Sequence, residues 1–173
     1  GLATSPYRFA DTRDDYHDSQ HGILEECLVE YGLGGGGSFH GGRVSLEHRH
    51  FLSLPAELVL AHRLVADLAF GELPFFEELA LGGSSTVRGL AAARVRGQGR
   101  LLANAELRWR GLPVLERQHI YLGGLLFADA GQIFSRADGP SLDEWRASRG
   151  GGSRLLWQST VVRADWGASG KRT

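Results

Sequence analysis

Few side chains in this sequence fall at spacings that could do chemistry. His48 and His50 lie two apart, so on a strand they would share a face and could offer two imidazoles to a metal ion. A structural zinc site wants four ligands, and the sequence places neither a third ligand nor a carboxylate beside them, so the pair reads as two exposed or interfacial histidines. Gly32-Leu33-Gly34-Gly35-Gly36-Gly37 satisfies the spacing of a dinucleotide fingerprint, which needs its last glycine to open a helix whose N-terminus holds the pyrophosphate. Ser38-Phe39-His40-Gly41-Gly42 follows instead and starts no helix, so the segment reads as a flexible loop. In Gly170-Lys171-Arg172-Thr173, Arg172 stands where a phosphate loop needs Ser or Thr for magnesium, and no glycine precedes at the required spacing. No Gly-x-Ser-x-Gly elbow occurs, and no nucleophile–base pair can be placed. The expectation is a protein that is not an enzyme, with no catalytic, cofactor-binding or metal-binding residues and no cofactor.

Composition narrows the remaining classes. At 173 residues and 42% hydrophobic content, the chain could build the core of one ordinary domain. Its 19 basic and 20 acidic side chains nearly cancel, so the composition shows no electrostatic pull toward nucleic acid or acidic lipid. Cys27 is the single cysteine, which excludes an internal disulfide and a two-thiolate metal site. No run approaches the roughly 18 apolar residues of a spanning helix, and the N-terminus lacks the basic and apolar regions of a secretory signal. Membrane residence would therefore require strands. With 25 glycines and no methionine, even as an initiator, the chain looks like an excerpt from something longer.

The elements that would position any site are strands, because short runs of alternating character are separated by Gly-rich or charged breaks. In 101–110, Leu101, Ala103, Ala105, Leu107 and Trp109 share one face, while Leu102, Asn104, Glu106, Arg108 and Arg110 share the other. In 57–70, Leu58, Leu60, Leu64, Ala66, Leu68 and Phe70 oppose Glu57, Arg63 and Asp67, with His62 the polar intruder on the apolar face. The other predicted strands are 7–11, 23–33, 43–51, 120–134, 153–158 and 160–169. Globular strands run about 5–6 residues and tilted membrane strands about 9–11, and several segments here reach the larger figure. Brief turns at 52–56 and 111–119 take turns with longer breaks at 34–42, 71–100 and 135–152, as in an outer-membrane barrel. A β-sandwich or a lipocalin-like barrel also alternates but buries its apolar face, so the pattern alone leaves both open.

The break at 71–100 is too rich in aromatic and aliphatic residues for a disordered loop. Its segment Leu73-Pro74-Phe75-Phe76-Glu77 leads to Gly82-Gly83-Ser84-Ser85-Thr86-Val87-Arg88-Gly89-Leu90. This resembles the signature loop of the BamA/TamA-type barrels, also called the bacterial surface antigen family, although Leu90 replaces the usual aromatic. Asp11-Thr12-Arg13-Asp14 followed by Gly22 is similar to a further family block, with Ser19 in the position of its proline. Ala105-Glu106-Leu107-Arg108, Phe127-Ala128-Asp129-Ala130-Gly131 and Val162-Arg163-Ala164-Asp165 match the following blocks in order.

The resemblance implies an all-β fold: an antiparallel transmembrane β-barrel, of which about eight strands are present as a partial barrel with a long inward-folded loop. It implies that residues 1–173 are the C-terminal part of the barrel domain, that 71–100 is the signature loop, and that the periplasmic repeats are absent from this chain. By the same resemblance Arg88 meets Glu106 and Asp129 inside the lumen, flanked by Val87 and Gly89 and supported by Gly82, Gly83, Phe127 and Gly131. The alternation agrees independently: Glu106 falls on the polar face of its strand, and Asp129 shares a face with Phe127 and Gly131 rather than with Leu126, Ala128 and Ala130. The implied function is protein insertion or translocation at the bacterial outer membrane. Its partners would be outer-membrane lipid, unfolded outer-membrane protein clients and accessory lipoproteins, with no nucleic acid. A pore or membrane anchor of a two-partner secretion or patatin-like lipase protein, and a soluble β-rich binding domain, stay open as alternatives.

Overall fold

A computed structural model describes residues 2–33, 40–72, 74–115, 117, 120–157 and 160–170. The glycine run at 34–37 and the tail at 171–173 lie outside the described residues. Among the described residues ten strands form: β1 (Leu2–Asp11), β2 (Gly22–Leu33), β3 (His40–Leu54), β4 (Leu58–Glu72), β5 (Leu79–Leu81), β6 (Val95–Gly97), β7 (Gly99–Leu115), β8 (Ile120–Phe134), β9 (Arg146–Trp157) and β10 (Thr160–Ser169). Eight of them make one sheet in the order β1-β2-β3-β4-β7-β8-β9-β10, and β5 pairs with β6 as a separate ribbon. All pairings are antiparallel. Among the described residues β1 and β10 do not pair with each other, so the sheet is an unclosed portion of a barrel wall.

Alternation decides which face turns outward. On β4, Val59, Ala61, Val65, Asp67 and Ala69 are buried, whereas Leu64 is 50% and Leu68 44% exposed. On β8 the buried Leu125, Phe127 and Asp129 alternate with an exposed Leu122 and a Leu126 that is 65% exposed. The leucine rows therefore face away from the interior while charged side chains face into it, opposite to a soluble sandwich. Trp109 and Trp157 stand exposed toward the ends of β7 and β9 that carry the short turns, where a bilayer interface would meet the wall. Replacing Leu126, in the middle of β8, by arginine should therefore cost about 2–4 kcal/mol of folding free energy in bilayers. Urea titration of the protein folded into vesicles measures this; a change within about 0.5 kcal/mol would mark an ordinary exposed position instead.

Several boundaries differ from the sequence reading for physical reasons. β7 runs on through Gly111, read as part of a turn, by means of a bulge: its register with β8 shifts between Trp109 and Leu112. Gly111 has φ +88, and a Cβ there would lie 1.6 Å from the carbonyl oxygen of Leu122. β9 begins at Arg146, although Gly150, Gly151 and Gly152 read as a break. Gly150 leaves space in the wall, since a Cβ at that point would meet Cζ of Phe127 at 2.6 Å. Within 71–100 the β5–β6 ribbon was not legible in the sequence; Leu81 of β5 and Val87 of the turn between β5 and β6 pack against Val65 of β4 and Leu102 of β7. That cluster, joined by Leu90, Val95 and Ile133, is a small core between the folded-back segment and the inner face of the wall.

Candidate functional site

The segment between β4 and β7 is fastened to the wall along its length. Arg100 Nη1 donates to the carbonyl of Ala80 at 2.9 Å while its Nε donates to Asp67 of β4 at 2.6 Å. Arg63, also on the inner face of β4, donates to the carbonyl of Ser85 at 3.0 Å. Asn104 Nδ2 donates to the carbonyl of Thr86 and to Asp129 Oδ1, both at 2.8 Å. The tip is a tight internal turn in which the amide of Gly82 donates to Thr86 Oγ1 and that of Gly83 to the carbonyl of Leu90. Gly82 and Gly83 both have positive φ, which suits them to this turn. Leu90, where the family pattern has an aromatic, packs half-buried against the small core.

Arg88 leaves this turn at its inner end and is 6% exposed. Its Nε and Nη2 grip Asp129 at 2.8 and 2.7 Å, and its backbone amide donates to the same carboxylate at 3.0 Å. Nη1 donates to Glu106 on β7 at 2.6 Å and reaches Asp165 on β10 at 3.4 Å. The guanidinium carbon lies 3.7 Å from the centre of the Phe127 ring, so one cation meets carboxylates from β7, β8 and β10 and an aromatic face. Burial opposes the charge on Arg88, yet the hydrogen bonds to Asp129 and the field of Glu106 outweigh it and raise its pKa above the ordinary guanidinium value. Glu106 is shared outward, accepting from Arg108 Nε at 2.7 Å and lying 3.7 Å from Arg154 of β9, which in turn reaches Asp18 in the β1–β2 connection.

The structure thus brings Val87, Arg88, Gly89, Glu106, Asp129 and Phe127 into one cluster. Gly131 lies behind it, where a Cβ would meet Leu81 at 2.6 Å and Val87 at 3.0 Å. Sequence reasoning missed Asp165 as a third carboxylate, Asn104 as the clamp on Thr86, and Gly167, whose backbone touches that of Gly89. Asp165 ends the segment Val162-Arg163-Ala164-Asp165, and its parity with Arg163 and Gly167 was the available signal. The β1–β2 connection is ordered by its own acids: Arg13 grips Asp11 at 2.8 and 2.9 Å, and Asp14 accepts from the amides of Gln20 and His21. Ser19, at the proline position of the family pattern, is buried and donates to the carbonyl of Asp15.

No curated protein sequence matches the chain significantly. The crystal structure of BamA from Haemophilus ducreyi lacking POTRA domains 1-3 is similar in fold, with a TM-score of 0.76 at 17% sequence identity. The similarity covers 99% of this chain and 39% of that one. The BamA/TamA-type barrel expected from the sequence is borne out at the level of fold. The Omp85 superfamily domain matches residues 4–169, and with this wall of outward leucines and inward charges the protein is a β-barrel component of the bacterial outer membrane: the chain belongs to the Omp85 superfamily.

Proposed function

We propose that this protein inserts or translocates other proteins at the outer membrane, and that the Arg88 loop is latched inside its lumen. In this reading the chain supplies the C-terminal part of a larger barrel domain, with 71–100 as its signature loop. The observation that carries the latch is the buried guanidinium of Arg88, hydrogen-bonded to Asp129 and Glu106 on two neighbouring strands of the wall. The strand edges support the client role. β1 and β10 each carry a backbone edge that no described strand of this chain satisfies, and such an edge can template an incoming strand by main-chain pairing alone. No bond is made or broken in that step, so neither nucleotide nor metal is needed. Accessory lipoproteins are the further partners this reading calls for.

Full-length protein in proteoliposomes should speed the folding of an urea-unfolded outer-membrane barrel, followed by its heat-modifiable mobility in gels. Folding at the rate seen in empty vesicles, accompanied by ion conductance or export of one dedicated substrate, would instead identify a secretion pore and overturn the assembly reading.

A further inference from the structure

The outward wall carries a polar patch on β2, β3 and β4. His50 and His62 are direct cross-strand partners, and His48 lies one outward row along β3, opposite Leu64. The Nε2 atoms of His48 and His62 are 3.2 Å apart, and the rings of His50 and His62 are 5.1 Å apart. All three residues offer ligand atoms within 4.8 Å of one another. Zinc bound to imidazole at about 2.0–2.1 Å sets tetrahedral ligand nitrogens about 3.3 Å apart, close to the His48–His62 separation.

A second observation points the same way. Glu25, the β2 partner of His48, has Oε1 2.6 Å from His48 Nδ1. A carboxylate accepting the Nδ1 proton leaves the Nε2 lone pair free and directed at His62, the arrangement that orients metal-bound histidines. The surroundings give no structural reason for imidazoles here: Leu46 and Leu52 of the same β3 face and Leu64 of β4 are all exposed on the apolar wall. Ionisable residues on such a wall are costly and mark function.

We propose that His48, His50 and His62 bind one divalent transition-metal ion of the zinc class, with Glu25 as the positioning residue behind His48. Three neutral imidazoles suit zinc, nickel or copper and not the oxygen-seeking magnesium or calcium. The fourth position stays open to water. His62 stands four residues from Leu58, the start of β4, and eight from Phe70. At about 3.3 Å per residue and a tilt of about 40°, the ion sits about 10 Å from the short-turn end, away from the midplane where charge costs most. Its coordination ties two strands of the wall together, and the site is independent of the Arg88 cluster on the inner face.

The test uses full-length protein in detergent at neutral pH, with zinc titrated against a chromophoric chelator and cobalt as a spectroscopic substitute. One saturable site per chain and a visible cobalt band of tetrahedral intensity are expected. His62→Ala should abolish that site, and Glu25→Gln should weaken it about 10–100-fold, both with unchanged heat-modifiable mobility. Folded wild-type protein that takes up no zinc, or zinc uptake in His62→Ala equal to wild type, overturns the proposal. Should His62→Ala fail to fold, the cobalt spectrum of the wild type decides alone: an octahedral, weakly absorbing spectrum rejects the site.

Discussion

Arg88→Ala is expected to destabilise the folded-back loop against the wall by about 3–5 kcal/mol, the range for removing one partner of a buried ion pair. The loss falls unequally on the carboxylates. Glu106 keeps Arg108 at 2.7 Å and Arg154 nearby, whereas Asp129, 2% exposed, keeps two neutral donors, the Asn104 side-chain amide and the backbone amide of residue 88. The cost is thus mostly that of leaving Asp129 charged without its cation. Lysine is a poor substitute, since one ammonium cannot offer a planar fork to Asp129 while reaching Glu106. Arg88→Glu should be worse still, because it adds a fourth carboxylate to three, and a basic residue at 129 or 106 should restore part of the loss. A double-mutant cycle of Arg88→Ala with Asp129→Asn, read by urea unfolding and by protease cleavage within 82–94, should give coupling of about 0.5–3 kcal/mol. Strictly additive effects would remove the latch.

How much of this was legible depends on which feature carried the information. The direction of Glu106 and Asp129 was readable because strand parity is strict: a residue two away from a known inward position is inward too. Which residues of distant strands converge was not, since parity says nothing of how far a curled sheet brings β10 round toward β7. Asp165 was missed for that reason, and so was the third histidine. His62 was recognised as an intruder on an apolar face, but only the β3–β4 register puts it opposite His50. Glycine misled in another way. The run Gly150-Gly151-Gly152 has the composition of a loop, yet it lies within β9, where the missing Cβ of Gly150 admits the Phe127 ring that lies beneath Arg88. Composition registers the absence of a side chain; it does not register what occupies the vacated space.

The same principle makes Gly89 a sensitive backbone position of the loop, and Gly89→Val is expected to release the tip from β10. Two penalties act together. Gly89 has φ +88, a conformation that costs an L-residue about 1–2 kcal/mol and a β-branched one more. A Cβ would also lie 2.9 Å from the carbonyl carbon and oxygen of Gly167, and because these are backbone atoms of a paired strand they cannot swing aside as a side chain would. Overpacking of this kind costs about 1–3 kcal/mol, so the sum rivals the loss of Arg88. The contact is reciprocal, since a Cβ on Gly167 would lie 3.0 Å from the Arg88 carbonyl carbon and from the Gly89 amide nitrogen. The close approach also lets Ser169 Oγ donate to the Gly89 carbonyl at 3.1 Å. Hydrogen exchange separates this effect from that of Arg88→Ala: Gly89→Val should raise exchange at the tip amides and along the facing part of β10, while Arg88→Ala should act first around Asp129 on β8. Equal protection of the β10 amides in Gly89→Val and the wild type would mean that the tip does not bear on that strand in the membrane.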